Sequence, residues 1–277
     1  MDIKITILSN DIVTQANFLG EHGFSALIEA ENLKILFDTG QGMVLQHNAV
    51  LKEIDLSAID LTILSHGHYD HANGLNKINV NRKIKVFAHP HIFEHRYKKL
   101  YSGDYKNIGP AWLDDGEIMG RFEFVLSESP YYVSDRIILS GEIPRVTDFE
   151  QSDELFFIMD RDGIYRKDAI LDDQALFIKT NNGIVILTGC AHSGLVNTAL
   201  HAKKVTGTDK IYAIIGGTHL LKMNINKLKN TVSYIRKIKI SRLFAGHCTA
   251  FKPLSYLETK LGDLLQPLYV GKEIIIN

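Results

Sequence analysis

Apolar residues near the start of the chain fall in strand-length blocks, Ile3 to Leu8, Phe24 to Ala30 and Lys34 to Phe37. The last two are separated by the polar pair Glu31-Asn32 and so predict a hairpin. Val44 to Ile54 instead spaces its apolar residues at helical intervals. Leu61-Thr62-Ile63-Leu64 reads as a brief buried strand running straight into Ser65-His66-Gly67-His68, and Ile84 to Ala88 as another strand. From His91 to about Lys167 the pattern is irregular, with aromatic residues, glycines and two expected hairpins, so this stretch is expected to form a cap.

Regular order returns with Ala175 to Lys179 and Ile184 to Leu187, joined by Asn181-Asn182-Gly183, residues that tolerate the positive φ angles of a tight hairpin. After Gly194 the rhythm alternates: a helix to about Val205, a strand from Ile211 to Ile215, a helix from Ile225 to Ile238, a strand from Arg242 to Ala245 and a final helix. Strands first and alternation later predict an α+β fold, an αββα sandwich of two packed mixed β-sheets with helices outside. The expectation is one domain over residues 1–277 with a cap insertion at about 91–167.

Composition narrows the function. Lysine plus arginine total 31 against 32 acidic residues, so no global field attracts a polyanion and no nucleic-acid partner is expected. The start lacks the apolar core of a signal peptide, and no later apolar run approaches the roughly 18 residues of a membrane span, so no membrane partner is expected either. Two cysteines, Cys190 and Cys248, are too few for a disulfide scaffold and suit a reducing compartment, with cytoplasm as the default. Each lies beside a histidine, in Cys190-Ala191-His192 and His247-Cys248, which raises a metal role.

The densest chemistry is Ser65-His66-Gly67-His68-Tyr69-Asp70-His71. Histidines two apart in an extended segment point to one side, while Asp70 and His71 follow the turn and address a neighbouring position, so two ions can sit side by side. Neutral imidazoles with a carboxylate suit zinc, and Gly67 lets the backbone pack closely. Cys190 is either a thiolate ligand or a buried structural cysteine. His219, after the apolar Ile214-Ile215-Gly216-Gly217-Thr218, either reaches the same rim, as ligand or substrate contact, or simply packs. Arg145, with Arg136, Lys98, Lys99 and Tyr132, offers an anion pocket for phosphate or carboxylate, against a solvated charged face.

The histidine segment resembles the His-x-His-x-Asp-His signature of the metallo-β-lactamase superfamily, and the resemblance extends over nearly the whole chain. Further phrases resemble one branch, the dihydropterin ribofuranosylaminobenzene-phosphate synthase-like proteins. They are Gly23-Phe24-Ser25-Ala26-Leu27-Ile28-Glu29, Leu36-Phe37-Asp38-Thr39-Gly40, Gly141-Glu142-Ile143-Pro144-Arg145, Thr188-Gly189-Cys190-Ala191-His192, Gly216-Gly217-Thr218-His219 and Gly246-His247-Cys248-Thr249. The resemblance implies that Asp38 fixes the tautomer of a ligand histidine and that His247 ligates the second metal. It also exposes two departures. No histidine lies between His95 and His192, so His192 is favoured as the third histidine of the first metal, and Cys190 stands where the superfamily places a bridging aspartate. Flavodiiron relatives carry glutamate at the position of His68, which disfavours iron-based oxygen chemistry.

The expected ligands are therefore His66, His68, Asp70, His71, Cys190, His192 and His247, with Asp38 behind them, Asp70 and His219 as catalytic groups and Arg145 on the substrate. The expected cofactor is zinc, two ions, with manganese, iron or nickel as alternatives. Zinc lowers the pKa of bound water to about 7, giving a hydroxide at neutral pH without a side-chain nucleophile. The expected activity is hydrolysis of a phosphodiester or related small phosphorylated metabolite. A lactonase or thioesterase and a metal-containing regulatory protein stand as alternatives, and the resemblance implies a pterin-pathway synthase as a further one.

Overall fold

The computed structural model describes residues 2–79, 82–222 and 224–277. The first half contains β1 (Ile3–Ser9), β2 (Ser25–Ala30), β3 (Leu33–Phe37), α1 (Leu45–Leu51), β4 (Leu61–Ile63), α2 (Tyr69–Ala72) and β5 (Ile84–Ala88). Next come β6 (Arg96–Lys99), β7 (Tyr105–Asn107), α3 (Gly116–Gly120), β8 (Phe122–Leu126), β9 (Tyr131–Tyr132), β10 (Ile137–Leu139), β11 (Phe156–Met159) and β12 (Tyr165–Lys167). The last part holds β13 (Ala175–Thr180), β14 (Gly183–Thr188), α4 (Leu195–Thr206), β15 (Ile211–Gly216), α5 (Ile225–Ile238), β16 (Arg242–Ala245), α6 (Phe251–Leu261), β17 (Leu265–Pro267) and β18 (Glu273–Ile276).

Two seven-stranded sheets, ordered β18-β1-β2-β3-β4-β5-β8 and β17-β16-β15-β14-β13-β10-β9, pack face to face. The period-two alternation of each strand sorts its residues between layers. Ile3, Ile5 and Ile7 of β1 meet Leu176, Ile178, Val185 and Leu187 of the second sheet in the central core. Phe177, Ile184 and Ile186 point the other way, against Leu195 of α4, Leu228 and Val232 of α5 and Leu257 of α6. Leu8, Leu27, Leu36 and Val86 cover the first sheet's outer face with Leu45, Leu75 and Trp112. The α+β sandwich with helices outside is thus as expected. Among the described residues no helix is long and apolar enough to cross a membrane.

The stretch expected as one cap, 91–167, is divided. Its β8 runs parallel to β5 and extends the first sheet, and β10 pairs with β13 in the second. Only β6, β7, β11 and β12 stand apart, as a four-stranded sheet ordered β12-β11-β6-β7. Short strands between loops lack the length to announce their sheet. The chain end also holds strands that the sequence reading passed over: β18 pairs with β1, and β17 with β16. Turn chemistry differs in one respect. Glu31 and Asn32 both take left-handed angles (φ 52° and 63°), whereas at the second hairpin only Gly183 has positive φ, at 127°.

Candidate metal centre

The site lies where strands of both sheets end. β3 and β4 run parallel in one sheet, and β14, β15 and β16 run parallel in the other, so five carboxyl ends open on one rim. They deliver Asp38, His66, Cys190, His219 and His247 respectively. Several of these residues take a backbone conformation unusual for side-chain-bearing residues: φ is 55° at Asp38, 56° at Ala191, 46° at His219 and 43° at His247. Such strain clusters where function fixes the geometry.

Two groups of donors converge there. His66, His68 and His192 bring one ring nitrogen each within 4.8 Å of one another, and a ring nitrogen each of His66 and His71 lies within the same distance of Cys190 Sγ. His66 Nε2 stands 3.1 Å from His68 Nδ1. Around the second position, Cys190 Sγ lies 3.2 Å from His71 Nε2 and 3.5 Å from His247 Nε2, and Asp70 Oδ2 is 3.8 and 3.6 Å from the same nitrogens. All seven expected ligands are buried. His192 is thus brought beside His66 and His68, and Cys190 beside His71 and His247.

The hydrogen bonds behind these donors fix their lone pairs. His71 Nδ1 donates to Asp38 Oδ2 at 2.7 Å, and His247 Nδ1 donates to Asp11 Oδ1 at 2.8 Å. When both rings are neutral, their Nε2 atoms present lone pairs to each other at 3.2 Å, a contact that a proton or a metal cation makes favourable. The buried Nε2 atoms of His68 and His192 have no hydrogen-bond partner among the described residues. These donors fit a divalent metal.

Electrostatics follow the same division. Burial, with neighbouring imidazoles and Arg96 adding to it, holds His66 and His68 well below the ordinary imidazole pKa, and burial with His219 does the same to His192. They are neutral, as ligands must be. Burial alone would lower His247 too, but its bond to Asp11, with Cys248 and Asp70 nearby, raises it to about 9. Burial opposes ionisation of Asp70, yet the surrounding histidines hold its carboxyl below the usual range. Burial pushes the Cys190 thiol up, so a cation must displace its proton for the sulfur to ligate.

The remaining expected residues fall around the cluster or away from it. Asp38 is buried and also accepts from Ser65 N and Ser65 Oγ, at 2.7 and 2.8 Å. His219 packs against His192 with ring centroids 4.1 Å apart and planes tilted by 47°, and it lines the open cavity of about 330 Å³ that ends on the cluster. Arg145 does not line that cavity, contrary to expectation: its guanidinium donates to the Ala169 carbonyl at 2.6 Å. Of its proposed companions only Lys98 faces the cavity, because β6 belongs to the separate sheet that roofs it.

Sequence reasoning missed several participants. Asp11 bridges His247 and His22, at 2.8 Å to each, and His22 Nε2 reaches Asp70 Oδ2 at 3.3 Å. The available signal was a polar run, Ser9-Asn10-Asp11, at the end of an apolar strand. Asp172 and Asp173 were missed as well. Asp172 Oδ2 accepts from Gly67 N and Asp173 Oδ2 from Ser193 N, each at 2.7 Å, so consecutive buried aspartates hold the two histidine loops. Their signal was a carboxylate pair just before the apolar run Ala175 to Ile178. Cys248 donates to the Cys190 carbonyl and accepts from His219 N, both at 3.3 Å, tying two loops together.

The chain is similar to known proteins over most of its length. The metallo-β-lactamase superfamily profile matches residues 20–154. A 7,8-dihydropterin-6-methyl-4-(β-D-ribofuranosyl)-aminobenzene-5′-phosphate synthase from Methanocaldococcus jannaschii is 31% identical over 99% of this chain and 96% of its own length. An uncharacterized protein from the same organism is 35% identical over 98% and 99%. A crystal structure of a metal-dependent hydrolase of the β-lactamase superfamily superimposes with a TM-score of 0.84 at 26% identity, covering 98% of each chain. The chain belongs to the metallo-β-lactamase superfamily, in the branch of dihydropterin ribofuranosylaminobenzene-phosphate synthase-like proteins.

Proposed function

We propose that this protein is a metal-dependent hydrolase of small phosphorylated metabolites, with phosphodiesters preferred and two zinc ions per chain. The observation that carries the reading is the convergence of His71 Nε2, His247 Nε2 and Cys190 Sγ within 3.5 Å of one another at the end of a cavity. His66, His68 and His192 would hold one ion, and Asp70, His71, Cys190 and His247 the other. Imidazoles with one thiolate and one carboxylate favour zinc over magnesium or calcium. A bound ion of this kind supplies an acidified water and polarises the attacked group.

The chain's own residues do the rest. Asp38 and Asp11 orient His71 and His247, and Asp70 accepts the proton of an attacking water or holds it in line. His219, whose pKa burial lowers but Asp153 and Cys248 together raise above the ordinary value, stands ready to protonate a leaving group from the rim. Free, buried Cys190 and Cys248 support a reducing compartment such as the cytoplasm.

A second reading, synthesis in a pterin pathway, is favoured by the archaeal relative, whose name specifies a product carrying a 5′-phosphate. Elemental analysis of wild type, His68→Ala and Cys190→Ala, with bis(4-nitrophenyl) phosphate turnover on the same samples, separates the readings. Two ions and turnover in wild type, both reduced in the variants, are expected. Faster turnover of a lactone or thioester than of any phosphodiester, or ligand-dependent thermal stabilisation without product, would overturn the proposal.

A further inference from the structure

The cavity has a second chemical end. Its roof is the four-stranded sheet, and one row across it is set by the ladders: Phe156 of β11 pairs with Lys98 of β6, and Lys98 with Lys106 of β7. All three side chains line the cavity. Phe156 packs against the rings of His68 and His192, with centroids 5.1 and 5.5 Å away, so the row begins over the histidine cluster. Each strand steps about 4.8 Å further out, which carries the two lysines progressively away from it.

Directly opposed like charges on neighbouring strands repel. Two neighbouring lysines are neutralised, Lys167 of β12 by Glu154 at 3.0 Å and Lys222 by Asp153 at 2.5 Å, while Lys99 of β6 does not line the cavity. Lys98 and Lys106 have no carboxylate within 4.0 Å among the described residues. The cavity's own carboxylates, Asp11 and Asp70, are engaged by histidines at the other end. The cavity walls also include Tyr69, Leu100, Ile108 and Leu221, which suit an apolar or aryl body. The cavity is therefore polarised along its length, with two unneutralised cations where an anion would balance them.

We propose that Lys98 and Lys106 clamp a phosphate that does not react, at the end of the substrate remote from the histidine cluster. The substrate class is then an elongated metabolite with an apolar or aryl body and a terminal dianionic phosphate. Two point charges that swivel on flexible stems suit a phosphate's several acceptor oxygens. The proposal rests on the hydrolase reading only for the direction in which the substrate lies.

The test is calorimetric titration of the metal-loaded full chain with phenylphosphonate, which cannot be hydrolysed. Wild type is compared with Lys98→Ala, Lys106→Ala, the double variant and Lys106→Arg, with metal content measured on each. Loss of one charge-assisted contact should weaken binding roughly tenfold, and loss of both further still, while Lys106→Arg stays within about threefold of wild type. Metal content should not change. Absence of binding to wild type, or equal affinity in the double variant, would overturn the clamp, the latter by placing the anion on the metal-ligand cluster. Benzoate binding as tightly with the same lysine dependence would overturn the phosphate assignment in favour of a carboxylate. Lysine-dependent binding without any phosphodiester turnover would sink the hydrolase reading and leave the clamp standing, whereas turnover with lysine-independent binding would do the reverse.

Discussion

Asp38 shows how one side chain can set the chemistry of several. Its carboxylate accepts from His71 Nδ1, Ser65 N and Ser65 Oγ, all within 2.8 Å and away from water. Asp38→Ala strands buried donors that each cost about 1–3 kcal/mol and frees His71 to change tautomer. A loss of about 3 kcal/mol in urea unfolding and a 10- to 100-fold weaker metal affinity are expected, the latter by competition with a chromogenic chelator. Unchanged affinity would show that His71 does not ligate. The histidines also predict a pH profile for the metal-stripped protein. His66, His68 and His192 have folded pKa values depressed below 6.5, so their neutral forms favour the fold above that value, and this contribution is lost as pH falls below 6.5. His247 is raised to about 9, so its contribution is complete below 6.5 and is lost as pH rises through 9. Thermal denaturation in chelator should therefore show its highest midpoint between the two limits, and a midpoint still rising below pH 6 would contradict the assignment.

At the scale of elements, the segment that opens β13 holds both histidine loops. Gln174 N donates to the Ser65 carbonyl at 2.9 Å, while Asp172 and Asp173 bind the two loops on either side. Buried Arg96 of β6 pairs with Asp172 at 2.7 Å, which ties the roof sheet to the His66–His68 turn. Arg96→Met leaves Asp172 buried without its counter-charge, a loss of about 3–5 kcal/mol, and Asp172→Asn on that background should restore most of it. Equal unfolding midpoints for single and double variants would show that the pair does not couple. This bracket also marks where sequence reading stops. The strands and helices of the last third follow local periodicity, and α5 and β16 match their expected limits. The His66–His71 cluster was legible because its spacing lies within one turn and one strand end. Asp11 and Asp172 were not, since each acquires its role from a partner more than 100 residues distant. Lys98 was read as part of an anion pocket but with other companions, and Lys106 was hidden, because only the register of β6 against β7 reveals that the two oppose each other.

Across the whole molecule the expected metal ligands are divided between the two large sheets. His66, His68, Asp70 and His71 follow β4 of the first, while Cys190, His192 and His247 follow β14 and β16 of the second. The sheets approach closely there. A Cβ on Gly189 would stand 2.0 Å from Ser65 Oγ and 2.8 Å from Asp38 Oδ2, so Gly189→Ala should push the halves of the site apart and lower metal content without disturbing the distant helices. Far-UV circular dichroism with elemental analysis checks this. Ions held from both sides would then act as cross-links between sheets otherwise joined by the apolar core and by polar contacts such as Gln174–Ser65 and Asp172–Gly67. Binding to the folded chain alone stabilises it by RT ln(1 + [L]/Kd), about 4 kcal/mol at a thousandfold excess over Kd, which for a domain of this size corresponds to a midpoint rise of roughly 10 °C. Calorimetry with zinc and then with chelator should show that rise in wild type and a much smaller one in Cys190→Ala/His247→Ala, where the second sheet retains only His192. A full rise in the double variant would mean that Cys190 and His247 contribute nothing to the metal's stabilisation, and that any cross-link between the sheets runs through His192 alone.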